Sequence, residues 1–172
     1  MAETLLLWFN RFTDDPSKVK ARINGRPVLM YEPPEELESS TDDDDEYQFK
    51  TQSGLSVPTM GGGDPMAAVV EKTKENAFKQ RITIGRTGNN DIVLEDASVS
   101  RFHAFLEQLP GGDWQLVDAG SRNGTTLAGK KLTGRVGATL HNGAVLRVGA
   151  VQLTFLTASG FLEMLKRRAA EK

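Results

Sequence analysis

The sequence predicts an all-β domain in its C-terminal part, built as an antiparallel β-sandwich. From about residue 65 onward, apolar runs of three to six residues follow one another with no helical pattern between them. Glycine-containing turns separate many of these runs, among them Asn123-Gly124 and Asn142-Gly143. Closely spaced strands without intervening helices favour a sandwich over an alternating strand–helix sheet. The candidate strands are 68–70, 81–84, 91–94, 103–107, 114–117, 125–127, 144–148 and 151–156.

The end of the chain, residues 159–172, predicts a short helix that follows the sandwich domain at 65–158. Ser159 is a suitable N-cap, and the basic run 166–168 falls in later turns, where positive charge suits the helix dipole. The apolar residues of this helix share one face that should pack back on the sandwich: Phe161, Leu162 and Leu165.

Residues 1–31 form a separate N-terminal segment, interpreted as a β-hairpin or as a docking element. Residues 19–23 alternate in polarity, Asn24-Gly25 is a strong two-residue turn, and 28–31 would be the returning strand. Pro27 would place that strand at the edge of a sheet, because proline cannot donate a ladder hydrogen bond.

Residues 32–64 predict an acidic, flexible linker, which makes the N-terminal extension mostly flexible. The segment combines prolines, serines, the acidic run 42–46 and the glycines 61–63, and offers little to bury. The four aspartates 42–45 lack the spaced ligands and the glycine of a calcium-binding loop, so we expect no metal site. No cofactor is expected either.

The composition excludes several classes of site and of targeting signal. There is no cysteine, which removes disulfides, thiolate metal sites and cysteine nucleophiles. No apolar run approaches the length of a membrane helix, and Leu5–Phe9 lacks the flanks of a signal peptide. The expectation is a cytoplasmic protein without a membrane partner.

Charge is distributed unevenly along the chain. Residues 1–64 carry 6 Lys and Arg against 13 Asp and Glu, whereas residues 65–172 carry 15 against 10. This asymmetry predicts an internal electrostatic contact or an anionic ligand for the basic part. The alternative is that the acidic part only keeps the linker soluble.

Three clusters of polar residues stand between the apolar runs. They are Gly85-Arg86 with Asn90-Asp91, then Ser100-Arg101-x-His103, and finally Asp118-x-x-Ser121-x-Asn123-Gly124-Thr125. In order and spacing these blocks resemble the forkhead-associated (FHA) domain, over roughly residues 66–157. The resemblance implies a sandwich of about eleven strands, whose loops at one end bind phosphothreonine peptides in Ser/Thr kinase signalling.

The resemblance assigns phosphate contacts to Arg86, Ser100 and Arg101. A phosphothreonine brings about two negative charges and three acceptor oxygens at neutral pH. The forked guanidinium of Arg86 matches that geometry, the Ser100 hydroxyl can donate, and Arg101 adds a second cation. Several charge-assisted hydrogen bonds of about 1.5–3 kcal/mol each would reject unphosphorylated threonine.

Two further residues are expected to face the peptide. Asn123 matches the family asparagine that bonds the peptide main chain. Arg122 occupies the variable position before it, where an arginine should favour an acidic residue three positions after the phosphothreonine. The remaining matched positions are expected to support the loops: Gly85, Asn90, Asp91, His103, Asp118 and Gly124.

Other functions compete with this interpretation. Ser100, His103 and Asp118 could form a hydrolase triad, but no nucleophile elbow surrounds Ser100, so we expect no enzyme. A nucleic-acid module is disfavoured, because aromatic residues are not interleaved with the basic ones. The remaining alternative is a phospho-independent interaction scaffold that keeps the FHA fold.

The linker itself contains a candidate ligand. Thr41 is followed by acidic residues and has Asp44 three positions on. Some bacterial FHA proteins capture a phosphorylated N-terminal threonine of their own, and this layout is similar. The sequence therefore predicts a phosphosite at Thr41 and an autoinhibitory intramolecular contact, in addition to a phosphothreonine-containing partner and a Ser/Thr kinase.

Overall fold

The computed structural model describes residues 2–34 and 63–171, which form twelve strands and three helices. The strands, in chain order, are β1 (Ala2–Thr4), β2 (Val28–Tyr31), β3 (Met66–Val69), β4 (Arg81–Gly85), β5 (Ile92–Val93), β6 (Ala104–Gln108), β7 (Trp114–Asp118), β8 (Thr125–Leu127), β9 (Lys130–Lys131), β10 (Ala138–Leu140), β11 (Ala144–Val148) and β12 (Val151–Leu156). The helices are α1 (Leu5–Asp14), α2 (Pro16–Ile23) and α3 (Ala158–Ala170).

Two sheets pack face to face, which confirms the predicted sandwich. The larger sheet has the order β1-β3-β2-β12-β11-β8-β9, and the smaller has the order β10-β7-β6-β4-β5. All pairings are antiparallel except β4 with β5. Alternating residues of both sheets point inward and form the main core, where residues such as Ile84, Leu106 and Leu153 are almost inaccessible to solvent.

A second core lies on the outer face of the larger sheet, under the three helices. Trp8 of α1 packs edge-to-face against Phe161 of α3, with ring centroids 5.4 Å apart. Val28 and Met30 of β2 supply the sheet side of this core. The molecule therefore has three layers, one of helices and two of strands.

The predicted hairpin in the N-terminal segment is wrong, because residues 16–23 are helical. Asp15 caps α2 by accepting a hydrogen bond from the Ser17 amide at 2.9 Å, and Pro16 occupies the first helical position. Val19 and Ile23, four residues apart, bury one face of the helix. Asn24 then takes a left-handed conformation and ends the helix, so the Asn-Gly pair is a helix stop and not a strand turn.

The expected edge position of the returning strand is also wrong. β2 lies inside the larger sheet, with β3 on one side and β12 on the other, and its four residues are all buried. Pro27 precedes the ladder, so no ladder donor is lost, and its carbonyl accepts from the Val70 amide at 2.8 Å. Residues 2–34 thus supply two strands of the larger sheet and two helices of the outer layer, whereas most of the predicted linker, including Thr41, lies outside the described residues.

The C-terminal helix begins slightly earlier than predicted. Thr157, and not Ser159, is its N-cap, because the Thr157 hydroxyl accepts from the Gly160 amide at 3.1 Å. Phe161 and Leu165 are fully buried against the outer face of the sheet, with Leu162 partly buried beside them. Within residues 2–34 and 63–171, no helix is both long and apolar enough to cross a membrane.

Candidate functional site

Three connections meet at one end of the sandwich, and hydrogen bonds between them fix their positions. They are residues 86–91 between β4 and β5, residues 94–103 between β5 and β6, and residues 119–124 between β7 and β8. The Arg86 amide donates to the Ser100 carbonyl at 3.0 Å, and the Asn123 side-chain amide donates to the Ser98 carbonyl at 2.8 Å. The β11–β12 turn joins them, since the Ala150 amide donates to the Ser98 hydroxyl at 2.8 Å.

A cleft of about 260 Å³ opens between these connections. All five residues predicted to face a ligand line it: Arg86, Ser100, Arg101, Arg122 and Asn123. Ala97, Ser98 and Val99 complete the wall. The structure therefore brings together residues that are separated by up to 37 positions in the sequence.

The Arg86 guanidinium is oriented by one hydrogen bond and keeps its other donors. Its Nε donates to the Val99 carbonyl at 3.0 Å, while the side chain is exposed to the cleft. That contact directs the guanidinium and leaves the two terminal nitrogens for an anion. A fork held in this way loses little freedom when it binds, which favours a phosphate group over a dispersed charge.

The Ser100 hydroxyl is arranged as a donor. Its oxygen accepts a hydrogen bond from the Arg122 amide at 3.1 Å. A serine hydroxyl has one proton, and accepting a bond leaves that proton available to an acceptor in the cleft. The same hydrogen bond also links the connection 119–124 to the connection 94–103, which carries Ser100.

Three arginines give the cleft its charge. Arg86, Arg101 and Arg122 are all exposed. In the part of the chain that the structure describes, none of the three is within ion-pairing distance of a carboxylate. Three uncompensated cations around one small cleft create a positive potential that attracts a multiply charged anion.

Asn123 is held at the rim of the cleft, with part of its amide in use. One of its two N–H groups is bonded to Ser98, which leaves the second N–H and the side-chain oxygen. These are the groups that would bond the main chain of an extended peptide. Ser98 was not assigned a role from sequence, although Asp96-x-Ser98 has the pattern of a side-chain-stabilised turn: Asp96 accepts from the Ser98 amide at 2.8 Å.

His103 is fully buried and links the second connection, residues 94–103, to the third, residues 119–124. Its Nδ1 accepts from the Ser100 amide at 3.0 Å, so the ring proton must be on Nε2, which donates to the Gly124 carbonyl at 2.9 Å. Both ring nitrogens are thus occupied by backbone groups. The hydrolase alternative fails on this geometry, because His103 contacts the Ser100 amide and not its hydroxyl, and Nε2 lies 4.0 Å from Asp118.

Asp118 organises the turn that carries Arg122 and Asn123. One carboxylate oxygen accepts from the hydroxyls of Ser121 and Thr125, both at 2.6 Å, and the other accepts from the amides of Gly120 and Ser121, both at 3.0 Å. Burial alone would raise the pKa of Asp118, but these hydrogen bonds outweigh it and lower the pKa below its ordinary value. The carboxylate is therefore charged, and it holds the turn without touching the cleft.

Asp91 performs a similar task beneath the first connection. Its fully inaccessible side chain accepts from the amides of Thr73, Lys74 and Thr83, at 2.8–2.9 Å, and pairs with Lys72 at 2.8 Å. Burial opposes ionisation here too, but the Lys72 ammonium and the backbone donors lower the pKa of Asp91. The lysine was missed from sequence, since nothing near it in the chain marks a partner 19 positions away.

Asn90 and Gly85 set the spacing between the first two connections. The Asn90 side-chain amide donates to the Arg101 carbonyl at 2.6 Å and to the Thr87 carbonyl at 2.9 Å. Any side chain at position 85 would overlap the Arg101 carbonyl, so only glycine allows this approach. Gly124 is required for a different reason, because its φ of +84° is in the left-handed region.

Comparisons with known proteins match this fold. A family model described as FHA domain matches residues 82–149. The glycogen accumulation regulator GarA of Mycolicibacterium smegmatis is 42% identical over 73 residues, which are 42% of this chain and 44% of that protein. The oxoglutarate dehydrogenase inhibitor of Corynebacterium efficiens is 33% identical over 119 residues, which are 63% of this chain and 81% of that protein.

Solved structures include similar domains. The N-terminal FHA domain of Rad53 from S. cerevisiae, determined with a phosphothreonine peptide, is 21% identical with a TM-score of 0.47, over 57% of this chain and 89% of that chain. The chain thus spans less than half the length of the GarA relative but most of the dehydrogenase inhibitor.

The chain folds as a two-sheet sandwich with a basic cleft between its end loops. Together with the relatives, this fold shows that the chain belongs to the forkhead-associated (FHA) domain family.

Proposed function

We propose that this protein is a phosphothreonine-reading module, without catalytic activity, that binds a phosphorylated partner in a Ser/Thr kinase pathway. The proposed location is the cytoplasm, where ATP-dependent kinases act. The observation that carries the proposal is the cleft, in which the terminal nitrogens of Arg86 and the hydroxyl proton of Ser100 are both available. A phosphate dianion supplies acceptors for both and neutralises the charge of the arginines.

The proposal is tested by titrating matched peptides that differ only by one phosphate on threonine. The phosphorylated peptide should bind at least about 100-fold more tightly, because each charge-assisted hydrogen bond contributes about 1.5–3 kcal/mol. Equal affinity for the two forms would refute the proposal and favour a phospho-independent scaffold.

Arg122 is proposed to select an acidic residue in the peptide. Its amide is fixed by Ser100 while its charged side chain lines the cleft with no carboxylate partner among the described residues. Peptides with Asp three positions after the phosphothreonine should bind about three- to fivefold more tightly than those with Ala, the usual strength of an exposed ion pair. Arg122→Ala should remove this preference, measured on a peptide array, whereas Arg101→Ala should weaken both peptides equally. A preference for apolar residues would contradict the assignment.

The finer proposal is that the protein inhibits itself through phosphorylated Thr41. Support comes from where the described chain leaves the sheet. β12 begins next to the β11–β12 turn at the cleft, and β2 runs antiparallel to it, so β2 ends on the cleft side. β3 begins opposite that end, with Met66 paired to Tyr31. Both ends of the intervening segment therefore lie at the end of the sandwich that carries the cleft.

The distances suit an intramolecular ligand. β2 is separated from β8, which follows Asn123, by β12 and β11, a span of about 14 Å at the usual strand spacing. Thr41 is seven positions after Pro34, and an extended chain of seven residues reaches about 23 Å. Tethering over such a span produces an effective concentration on the order of millimolar.

Phosphorylation of Thr41 should therefore lower the affinity for a separate phosphopeptide by about tenfold or more. The measurement is a competition titration on protein phosphorylated by a Ser/Thr kinase, with Thr41→Ala and Thr51→Ala proteins treated in the same way. Only Thr41→Ala should keep the affinity of the unphosphorylated protein. Unchanged affinity after phosphorylation at Thr41 would disprove autoinhibition without affecting the peptide-reading function.

A further inference from the structure

A third apolar cluster lies outside both cores, on the outer face of the smaller sheet. Phe78, Phe102 and Phe105 stack in series, with centroid distances of 5.0 Å and 6.3 Å and interplanar angles of 20° and 15°. None of the three belongs to the two hydrophobic cores. They line a cleft of about 220 Å³, which we name the phenylalanine slot.

The polar groups beside the slot are satisfied except for one cation. Arg81 lies over the Phe105 ring at 4.4 Å and pairs with Glu107 at 3.3 Å. The other oxygen of Glu107 accepts from Gln115. Arg135, at the rim, is exposed and has no hydrogen-bonding or ionic partner in residues 2–34 and 63–171. The slot therefore offers aromatic walls and a single unpaired positive charge.

Residues that line the slot are neighbours, along the chain, of residues that line the arginine-bearing cleft. Phe102 directly follows Arg101, which lines the cleft, and Ala119 of the slot belongs to the same connection as Arg122. A partner seated in the cleft therefore has the slot next to it, around the edge formed by these two connections. Phe78 and Phe102 are half-exposed, whereas Phe105 is buried, and half-exposed phenyl rings at such a position gain by removal from water.

We propose that the phenylalanine slot is a second contact surface, which takes an aromatic side chain with an acidic neighbour from the same partner protein whose phosphothreonine occupies the cleft. This inference rests on the proposed function. The aromatic ring would pack edge-to-face against the exposed parts of Phe78 and Phe102, since the stacked series already covers the faces of Phe102. The acidic neighbour would pair with Arg135. The cleft would then read phosphorylation, and the slot would distinguish among phosphorylated partners.

The test uses three synthetic phosphopeptides. The first is a short phosphothreonine peptide with Asp at the third following position. The second adds, at either end, a Gly-Ser spacer of varied length and a terminal Glu-Phe pair, and the third has Ala-Ala in its place. At the best spacer length the Glu-Phe peptide should bind about tenfold more tightly than the Ala-Ala peptide, as burial of one phenyl ring near a tethered site predicts.

Variants of the protein test whether the slot causes the tighter binding of the Glu-Phe peptide. Phe102→Ala and Arg135→Ala should each reduce it to less than about threefold while leaving the affinity of the short peptide unchanged. Arg135 is exposed, so its variant serves even where Phe102→Ala impairs folding. The matched control is Arg147→Ala, which removes an exposed arginine from the other sheet and should leave the gain intact.

Three outcomes would overturn the inference. One is no gain at any spacer length, and another is a gain that persists in both slot variants. The third is a gain seen only after Tyr47 and Phe49, the two aromatic residues of the sequence between β2 and β3, are both replaced by alanine, since that result would give the slot to the chain's own segment. Failure of the short phosphopeptide to bind would instead refute the proposed function, and this inference with it.

Discussion

Replacing Arg86 by alanine is expected to lower phosphopeptide affinity by about 100- to 1000-fold. The variant removes two charge-assisted hydrogen bonds and leaves a phosphate dianion partly unpaired, which together cost about 3–4 kcal/mol. The side chain is exposed and makes one hydrogen bond to the Val99 carbonyl, so the fold should survive the change. Isothermal titration with a phosphothreonine peptide measures the effect.

Two control variants separate geometry from charge. Arg86→Lys keeps the charge but loses both the fork and the orienting bond through Nε, so it should recover only part of the affinity. Arg147→Ala removes an equal charge from a residue that does not line the cleft and should change affinity by less than about threefold. If Arg147→Ala weakened binding as much as Arg86→Ala, net charge and not the cleft would determine recognition.

Replacing Asp91 by alanine is expected to reduce the free energy of unfolding by about 3–5 kcal/mol. The carboxylate is inaccessible to solvent, pairs with Lys72 and accepts from three backbone amides. Its removal leaves a partly buried ammonium without its counter-ion and three backbone amides without their acceptor, which is among the most costly kinds of substitution. Urea denaturation of both proteins measures the difference, with the exposed Asp113→Ala as control, which should change stability by less than about 0.5 kcal/mol.

Because Asp91 is a titratable group, the difference in unfolding free energy between the wild type and Asp91→Ala depends on pH. The pKa of Asp91 is lowered in the folded protein, so its contribution is present above the ordinary aspartate pKa of about 3.9 and is lost as pH falls through the folded value. The gap between the wild type and Asp91→Ala should therefore be constant near neutrality and shrink in acid. A gap that widened as pH decreased would mean that Asp91 is protonated in the folded state.

The sequence contains local signals for α2, but the Asn24-Gly25 pair favoured the prediction of a hairpin. Asp15-Pro16 is an N-cap followed by a proline in the first helical position, and Val19 and Ile23 are spaced for one helix face. The Asn24-Gly25 pair fits a hairpin and a helix end equally well, because both need a left-handed residue. Only the capping pair upstream distinguishes them.

The position of β2 could be inferred in part. Residues 28–31 are apolar without alternation, which is typical of a strand covered on both faces, and both faces of β2 are indeed covered, by the two cores. Its neighbours could not be predicted, because pairing with β12 joins residues more than 120 positions apart. Local sequence patterns do not predict such a long-range pairing.

The cleft was more predictable than the contacts behind it. Arg86, Ser100, Arg101, Arg122 and Asn123 follow from residue types and spacing that match a known family, and the structure places them around one cleft. The roles of Lys72 and Ser98, and the stacking of Phe102, depend on tertiary proximity. A lysine or phenylalanine among many gives no local sign of its partner.

We propose that residues at this one end of the sandwich bind phosphothreonine. The most direct measurement is an amide-resolved NMR titration of the protein with matched phosphorylated and unphosphorylated peptides. We expect only the phosphorylated peptide to shift signals, with the largest shifts at Ser100, Arg101 and Arg122. Shifts of equal size with both peptides, or shifts confined to the helical layer, would contradict this proposal.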